Sequence, residues 1–344
     1  MKKIILLLLL LSQPLLADDS LYADDDLYEK GKKYYYGNNV EQNYSKAFNL
    51  FSHASKLDDV EAQTAMGLMY IRGEGTKQND KKGIELLRKS AHSGNAKAQY
   101  YFGTMYYLGI GGKRNFNIAY QWIEKAAKQG YEDAYYNLAL MYEQGRGVKV
   151  NLKRANTWFL AAAKFGNADA QYHLANTHFK TGNTEKAESL LLKSAEQGNV
   201  EAQYRLGQLF SQGTAPNYEA SFKWYKEFHD NIDANEKGRR KVTYLLAGLY
   251  DQGLGVKKDY YQSHRLYQQA LNQGNLEAYL DVARHYEKGQ GVERSLTKAY
   301  HFTLIAARAN HRIAQREVTQ MYRTGRGVKK SMKKANYWSK RLRE

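Results

Sequence analysis

Apolar and polar positions along this chain follow a helical period, and the helical pattern itself recurs. Glycine falls at Gly37, Gly73, Gly109 and Gly145 and again at Gly253, Gly289 and Gly325, each 36 residues after the last within its group. Six residues after each comes Asn43, Asn79, Asn115, Asn151, Asp259, Ser295 or Ser331. Such side chains accept from the first unpaired N–H groups of a helix, so the spacing predicts a helix start at each. Seven residues past each cap stands a large apolar residue: Leu50, Leu86, Trp122, Trp158, Leu266, Phe302 or Trp338. Alanines flank it at helical spacing, as Ala119, Ala126 and Ala127 do around Trp122 and Ala155, Ala162 and Ala163 around Trp158. This is an apolar stripe with positions of close approach. The helix is expected to stop at Gly94, Gly130, Gly166, Gly198 or Gly274, with Asn310 at the equivalent place. These residues tolerate the left-handed conformation past a helix C-terminus.

A partner helix is written Ala98 to Tyr106 in one repeat and Ala134 to Tyr142 in the next, with Gly103 or Ala139 small enough to admit its neighbour. Each unit is therefore a helix-turn-helix hairpin, and nine are expected from about residue 27 to the end. One hairpin cannot bury its own apolar face, so stacked neighbours must supply the core. Two places break the period. The loop from Thr181 to Lys186 is four residues short, with Asn183 as its cap, and an insertion lies near residues 230–240. That insertion is polar and charged and reads as a longer loop, or alternatively as a hinge or contact loop.

The string Ala134 to Val148, seen more loosely as Ala278 to Val292, together with Arg154-Ala155-Asn156-Thr157-Trp158 and Lys334-Ala335-Asn336-Tyr337-Trp338, resembles the Sel1-like repeats, relatives of the tetratricopeptide repeat. The resemblance spans nearly all of the chain after its first residues. It implies an all-α fold, a right-handed α-solenoid of about nine repeats over residues 27–344, and use as an adaptor, regulator or binding scaffold. Exported members of that family include envelope factors, host-interaction proteins and periplasmic immunity proteins that neutralise phospholipase-type toxins. Small disulfide-stapled relatives are described as penicillin-binding, but this chain has no Cys and lacks the basis for that comparison.

Composition and charge add a compartment and a polarity. The 344 residues carry 52 Lys and Arg against 35 Asp and Glu, a net charge of +17. Met1-Lys2-Lys3, the apolar run Ile4 to Leu11, and Leu15-Leu16-Ala17 before Asp18-Asp19 read as a secretory signal peptide over residues 1–17, cleaved after Ala17. The interrupted run is too short for the roughly 20 residues of a membrane span. A periplasmic location is expected, with secretion as second choice. Removing Lys2 and Lys3 lowers the charge to +15, and residues from Arg308 onward, with twelve basic residues against Glu317 and Glu344, hold +10 of it. An acidic segment, residues 18–26, sits at the other end. Such asymmetry steers an acidic ligand toward one end, though a terminal repeat also needs a polar outer face.

Catalytic chemistry is hard to find in the sequence. Gly109-Ile110-Gly111-Gly112-Lys113 fits neither phosphate-loop pattern and reads as a turn. His173 and His178 are five apart, which does not place both on one helix face, so no metal site is expected. No Gly-x-Ser-x-Gly elbow occurs, and Asp58-Asp59 reads as a solvated turn. The expectation is a non-enzymatic scaffold without cofactor. Nucleic acid is not an expected partner, and no transmembrane span is expected after the leader. The candidate partner-binding residues are Tyr100, Tyr136, Tyr172, Tyr204 and Tyr244, one per repeat along the first helix, and the cations Arg323, Lys329, Lys330, Lys333 and Lys334. If the first helices line a concave side, the tyrosines form a ladder for another protein; packing between neighbouring hairpins is the alternative role, and both stay open. The partner is expected to be an acidic protein, such as an exported toxin, or an anionic envelope surface. A toxin-neutralising immunity protein and a β-lactam-interacting or other envelope hydrolase are the alternatives. Trp158→Ala is expected to cost about 3–5 kcal/mol if that ring is buried.

Overall fold

The computed structural model describes residues 26–212 and 214–342. The expected leader, residues 18–25 of the acidic segment, Gly213, Arg343 and Glu344 lie outside the described residues. Eighteen α-helices and no strand occur among the described residues, and they fall into two compact units, up to Asn167 and from Ala168. The first unit holds four hairpins: α1 (Leu27–Tyr36) with α2 (Tyr44–Lys56), α3 (Val60–Arg72) with α4 (Asp80–His92), α5 (Ala96–Leu108) with α6 (Phe116–Lys128), and α7 (Asp133–Gln144) with α8 (Leu152–Lys164). The second holds five: α9 (Ala168–Lys180) with α10 (Thr184–Glu196), α11 (Val200–Ser211) with α12 (Tyr218–Asp230), α13 (Glu236–Gln252) with α14 (Tyr260–Asn272), α15 (Ala278–Lys288) with α16 (Leu296–Arg308), and α17 (Arg312–Thr324) with α18 (Met332–Arg341). Among the described residues no helix is long and apolar enough to cross a membrane.

Local chemistry sets these boundaries. Asn43, Asn79, Asn115, Asn151, Asn183, Asp259, Ser295 and Ser331 each accept from a backbone N–H in the first turn of the second helix. The first helices end on left-handed Gly37, Gly73, Gly109, Gly145, Gly253, Gly289 and Gly325. Left-handed Gly94, Gly130, Gly166, Gly198, Gly274 and Asn310 close the second ones. Two glycines are needed for contact as well. A Cβ on Gly103 would stand 2.8 Å from Ile123 Cγ1 and 3.1 Å from the Ala119 carbonyl, so α5 and α6 meet there backbone to backbone. Gly147, at φ +75°, lies so close to the Phe116 carbonyl at the start of α6 that a Cβ would overlap it. The turn thereby keys one hairpin onto the preceding one.

The expected anchor holds in some hairpins and shifts by one position in others. Seven residues past the cap, Leu50, Leu266 and Trp338 are buried, whereas Leu86, Trp122, Trp158 and Phe302 are only half-buried. Eight residues past the cap, Phe51, Leu87, Ile123, Phe159, Leu191, Tyr225, Tyr267 and Thr303 are all at most 4% exposed. Trp158 is only half-buried, beside Phe159 at 1%. The stripe is wide enough to include both positions, and its centre falls on the second. The insertion also differs from the expected loop. Only Asn231 to Asn235 is irregular, and residues from Glu236 extend α13 to 17 residues. Asn235 caps it by accepting from Gly238 N, Ala234 is buried, and Arg239 donates to the carbonyls of Asn231 and Ala234.

Candidate interaction surface

The five candidate tyrosines sit at matching places on the first helices, and each is half-buried. In the first unit, the Tyr100 hydroxyl on α5 accepts from Asn137 Nδ2 on α7 at 2.8 Å, and its ring packs on Tyr131. Burial raises its pKa. Tyr136 on α7 packs on Phe159 with ring centroids 5.8 Å apart. In the second unit, Tyr204 on α11 packs on Tyr225 and Phe228 and lies under Lys241 Nζ, 5.5 Å from the ring centroid. Tyr244 on α13 donates to Asp281 Oδ2 at 2.9 Å and packs on Tyr267; burial, then the Asp281 charge, raises its pKa. Each of these four rings thus braces a helix pair on one side while keeping part of its surface open.

Tyr172 and Tyr204 border an open cleft of about 350 Å³ between α9 and α11, shared with Asn176, Glu201, Arg205 and Gln208. A second cleft of about 430 Å³ adjoins it beside Tyr172, Asn176, Phe179 and Arg205. Gln208 Nε2 donates to the Tyr204 hydroxyl at 3.1 Å, and the Arg205 guanidinium stands 5.7 Å from the Phe179 ring centroid. The walls therefore combine apolar ring faces with amide and guanidinium donors, a composition suited to a polypeptide's carbonyls and side chains.

The candidate cations do not form one cluster on one element. Arg323 is on α17, Lys329 and Lys330 lie in the loop after it, and Lys333 and Lys334 are in the first turn of α18; all five are exposed. None has a carboxylate partner among the described residues. Arg326, in contrast, is tied to Glu287 at 3.0 Å and Glu317 at 2.7 Å.

Sequence reasoning missed a buried polar network in the second unit. His285 on α15 is fully buried, in a slot held elsewhere by Met69, Met105, Met141, Leu249 and Met321. Its Nε2 lies 2.9 Å from Asp251 Oδ1 on α13, so Nε2–H donates and Nδ1 is left buried without a protein partner. His264 on α14 stacks on it, ring centroids 5.5 Å apart and 24° between planes, with neither ring nitrogen reaching a protein group. Burial pushes the His264 pKa down to about 4, and burial lowers that of His285 as well, against the pull of Asp251. Arg284 bridges Asp251 and Asp281, each at 2.9 Å; burial opposes its charge, but the two carboxylates outweigh that and raise its pKa. Tyr244 joins through Asp281, so one expected surface residue is wired into this network. The stacked rings do not converge on a point, and no metal-holding group of three ligands occurs among the described residues. The signal available in the sequence was the histidine standing in a methionine slot of the repeat.

Comparison with known proteins agrees with this architecture. Over 91% of its length, the chain is similar to a protective antigen of uropathogenic Escherichia coli that displays an SLR fold, with 27% identity, a TM-score of 0.58 and 74% of that protein covered. It is similar to a Sel1 repeat protein from Oxalobacter formigenes at 26% identity and a TM-score of 0.56, covering 73% of each chain. An immunity protein from Pseudomonas aeruginosa is a more distant likeness, at 20% identity and a TM-score of 0.40, with 63% of this chain and 83% of that one covered. No curated protein matches the chain. The Sel1 repeat model matches residues 27–59, 60–95, 96–131, 132–167, 168–199, 200–227, 242–275, 276–311 and 312–342, and the chain belongs to the Sel1 repeat family.

Proposed function

We propose that this protein is an exported, non-enzymatic scaffold that holds a partner protein against its first helices, with the cleft around Tyr172 and Tyr204 as the principal contact. The observation that carries this reading is the cleft itself: two half-open tyrosine rings one repeat apart, with Asn176, Arg205 and Gln208 between them. Half-buried tyrosine is already held in place by its packing, so it offers contact area at little further entropic cost. Arg205 shares the cleft with Glu201, so the preference for an acidic partner rests on Arg323 of α17 and the exposed lysines after it, which speed such a partner's encounter. Export rests on the leader-like pattern of residues 1–17. The test places a photo-cross-linking residue at Asn176 and, as a control, at Gln121 on the exposed face of α6. A protein captured from the native envelope at Asn176 and not at Gln121, and lost in Tyr172→Ala/Tyr204→Ala with the helical circular dichroism unchanged, is the expected result. Equal capture at both sites, or full capture by the double variant, overturns the assignment of the cleft.

A further inference from the structure

The outer face of the last helix departs from the same face in every other hairpin. Six residues past the cap, the side chain is exposed and polar in the other repeats, as with Asn49, Glu85, Gln121, Thr157 and Arg265. In α18 that place is taken by Tyr337, which is 56% exposed. Lys333 and Lys334 lie one helical turn before it, and Lys340 and Arg341 one turn after, so four cations surround the phenol on one helix face. Arg341 Nη1 donates to its hydroxyl at 3.3 Å. No acidic residue occurs from Lys329 to Leu342, and none of these cations is paired with a carboxylate among the described residues. Met332, 53% exposed, begins the same helix. Trp338 and Ala335 are buried on the opposite side, which fixes the helix to the core and leaves this face as a ridge.

We propose that this ridge docks on an anionic phospholipid surface, with Tyr337 at headgroup depth and the lysines against the phosphates. It is a face distinct from the cleft and goes beyond the scaffold reading. Arg341 also donates to Asn310 Oδ1 at 3.2 Å and Lys334 lies over the Tyr322 ring, so Lys333 and Lys340 are the cations left to the surface, and an amphipathic ring flanked by cations without carboxylate partners suits the interface between headgroups and acyl chains. A ridge meets a broad surface more readily than it encloses a peptide. Each exposed cation near such a surface strengthens attachment by about fivefold, so loss of two is expected to weaken it by about 25-fold and their replacement by acids by more.

The test sediments the purified protein with vesicles of phosphatidylglycerol and phosphatidylcholine in equal parts, and with phosphatidylcholine alone. Binding is expected only to the anionic vesicles, falling steeply as salt is raised to about 0.5 M. Lys333→Glu/Lys340→Glu is expected to abolish it, and Tyr337→Ser to weaken it severalfold. The control Lys81→Glu/Lys153→Glu makes the same charge change at exposed positions of α4 and α8 and is expected to retain binding. Three results would overturn the proposal: equal binding to both vesicle types, equal loss in the control, or polyglutamate competing so well that an acidic polypeptide is the better ligand.

Discussion

His264→Phe should make the second unit more stable and less sensitive to acid. Phenylalanine fills the equivalent place in two other hairpins, as Phe48 and Phe222, so the slot accepts an aromatic ring. In the native chain the folded state holds His264 neutral down to about pH 4, whereas the unfolded chain takes up a proton near the ordinary value of 6.5. Between those values the unfolded state binds more protons, so stability falls as pH falls, and the loss is complete below about pH 4. A gap of that width amounts to about 3 kcal/mol. His285 adds a loss in the same direction, since its pKa is also lowered by burial. The groups that face the pair are Asp251 and Asp281, bridged by Arg284, and the rings of Tyr260, Tyr267 and Tyr286. His264 also buries two unpartnered nitrogens, which costs about 1–3 kcal/mol at neutral pH. The assay is urea unfolding followed by circular dichroism, repeated from pH 7.5 to pH 4. The variant should have the higher midpoint at pH 7.5 and a flatter decline below pH 6.5. Overpacking by the larger ring would displace its curve by a constant amount and leave the slope difference intact. Parallel curves for native and variant proteins would refute the reasoning.

Two further substitutions test the packing. Phe159→Ala should cost about 3–5 kcal/mol, and Trp158→Ala about 1–2 kcal/mol, because the first ring is enclosed and the second is not. Thermal melts that rank the two the other way would restore the anchor to the seventh position. Gly147→Ala should cost well over about 1 kcal/mol, since a left-handed backbone is combined with overlap on the Phe116 carbonyl. Gly94→Ala supplies the comparison: it has positive φ but open space around the added carbon, so its effect should be limited to the backbone term.

What was legible in the sequence was local. A cap acts within three residues and a left-handed glycine at one, so Asn151 and Gly145 announce their own structure wherever they stand. The insertion near residues 230–240 misled because its charge suggests solvent. Asn235 followed by Glu236 was the helix-start signal, and it prevailed once Ala234 found a buried place. The choice between Trp158 and Phe159 depends on which side of the stripe meets the neighbouring helix, a tertiary fact that spacing alone leaves open. His264 and His285 escaped for a related reason. A search for histidines close in sequence finds His173 and His178, whereas the pair that meets lies on two helices, 21 residues apart.

The repeat supplies its own controls for separating structure from function. A residue that recurs in hairpin after hairpin, such as the methionine of the first helix, is explained by the stack and needs no partner. A departure calls for its own cause. His285 replaces that methionine with a side chain that bonds the buried Asp251, whose carboxylate is also held by the half-buried Arg284. Buried ionic pairs rarely stabilise more than apolar packing of the same volume, so packing alone does not account for them. Tyr337 puts an exposed ring, flanked by cations, where the other hairpins hold a solvated polar residue. The two departures differ in kind. The buried one changes how stability responds to pH and is read by unfolding; the exposed one changes what the surface can touch and is read by binding. Tyr172 and Tyr204, which follow the repeat, carry a third kind of signal: their packing is shared with Tyr100 and Tyr244, and only the open cleft between α9 and α11 distinguishes them.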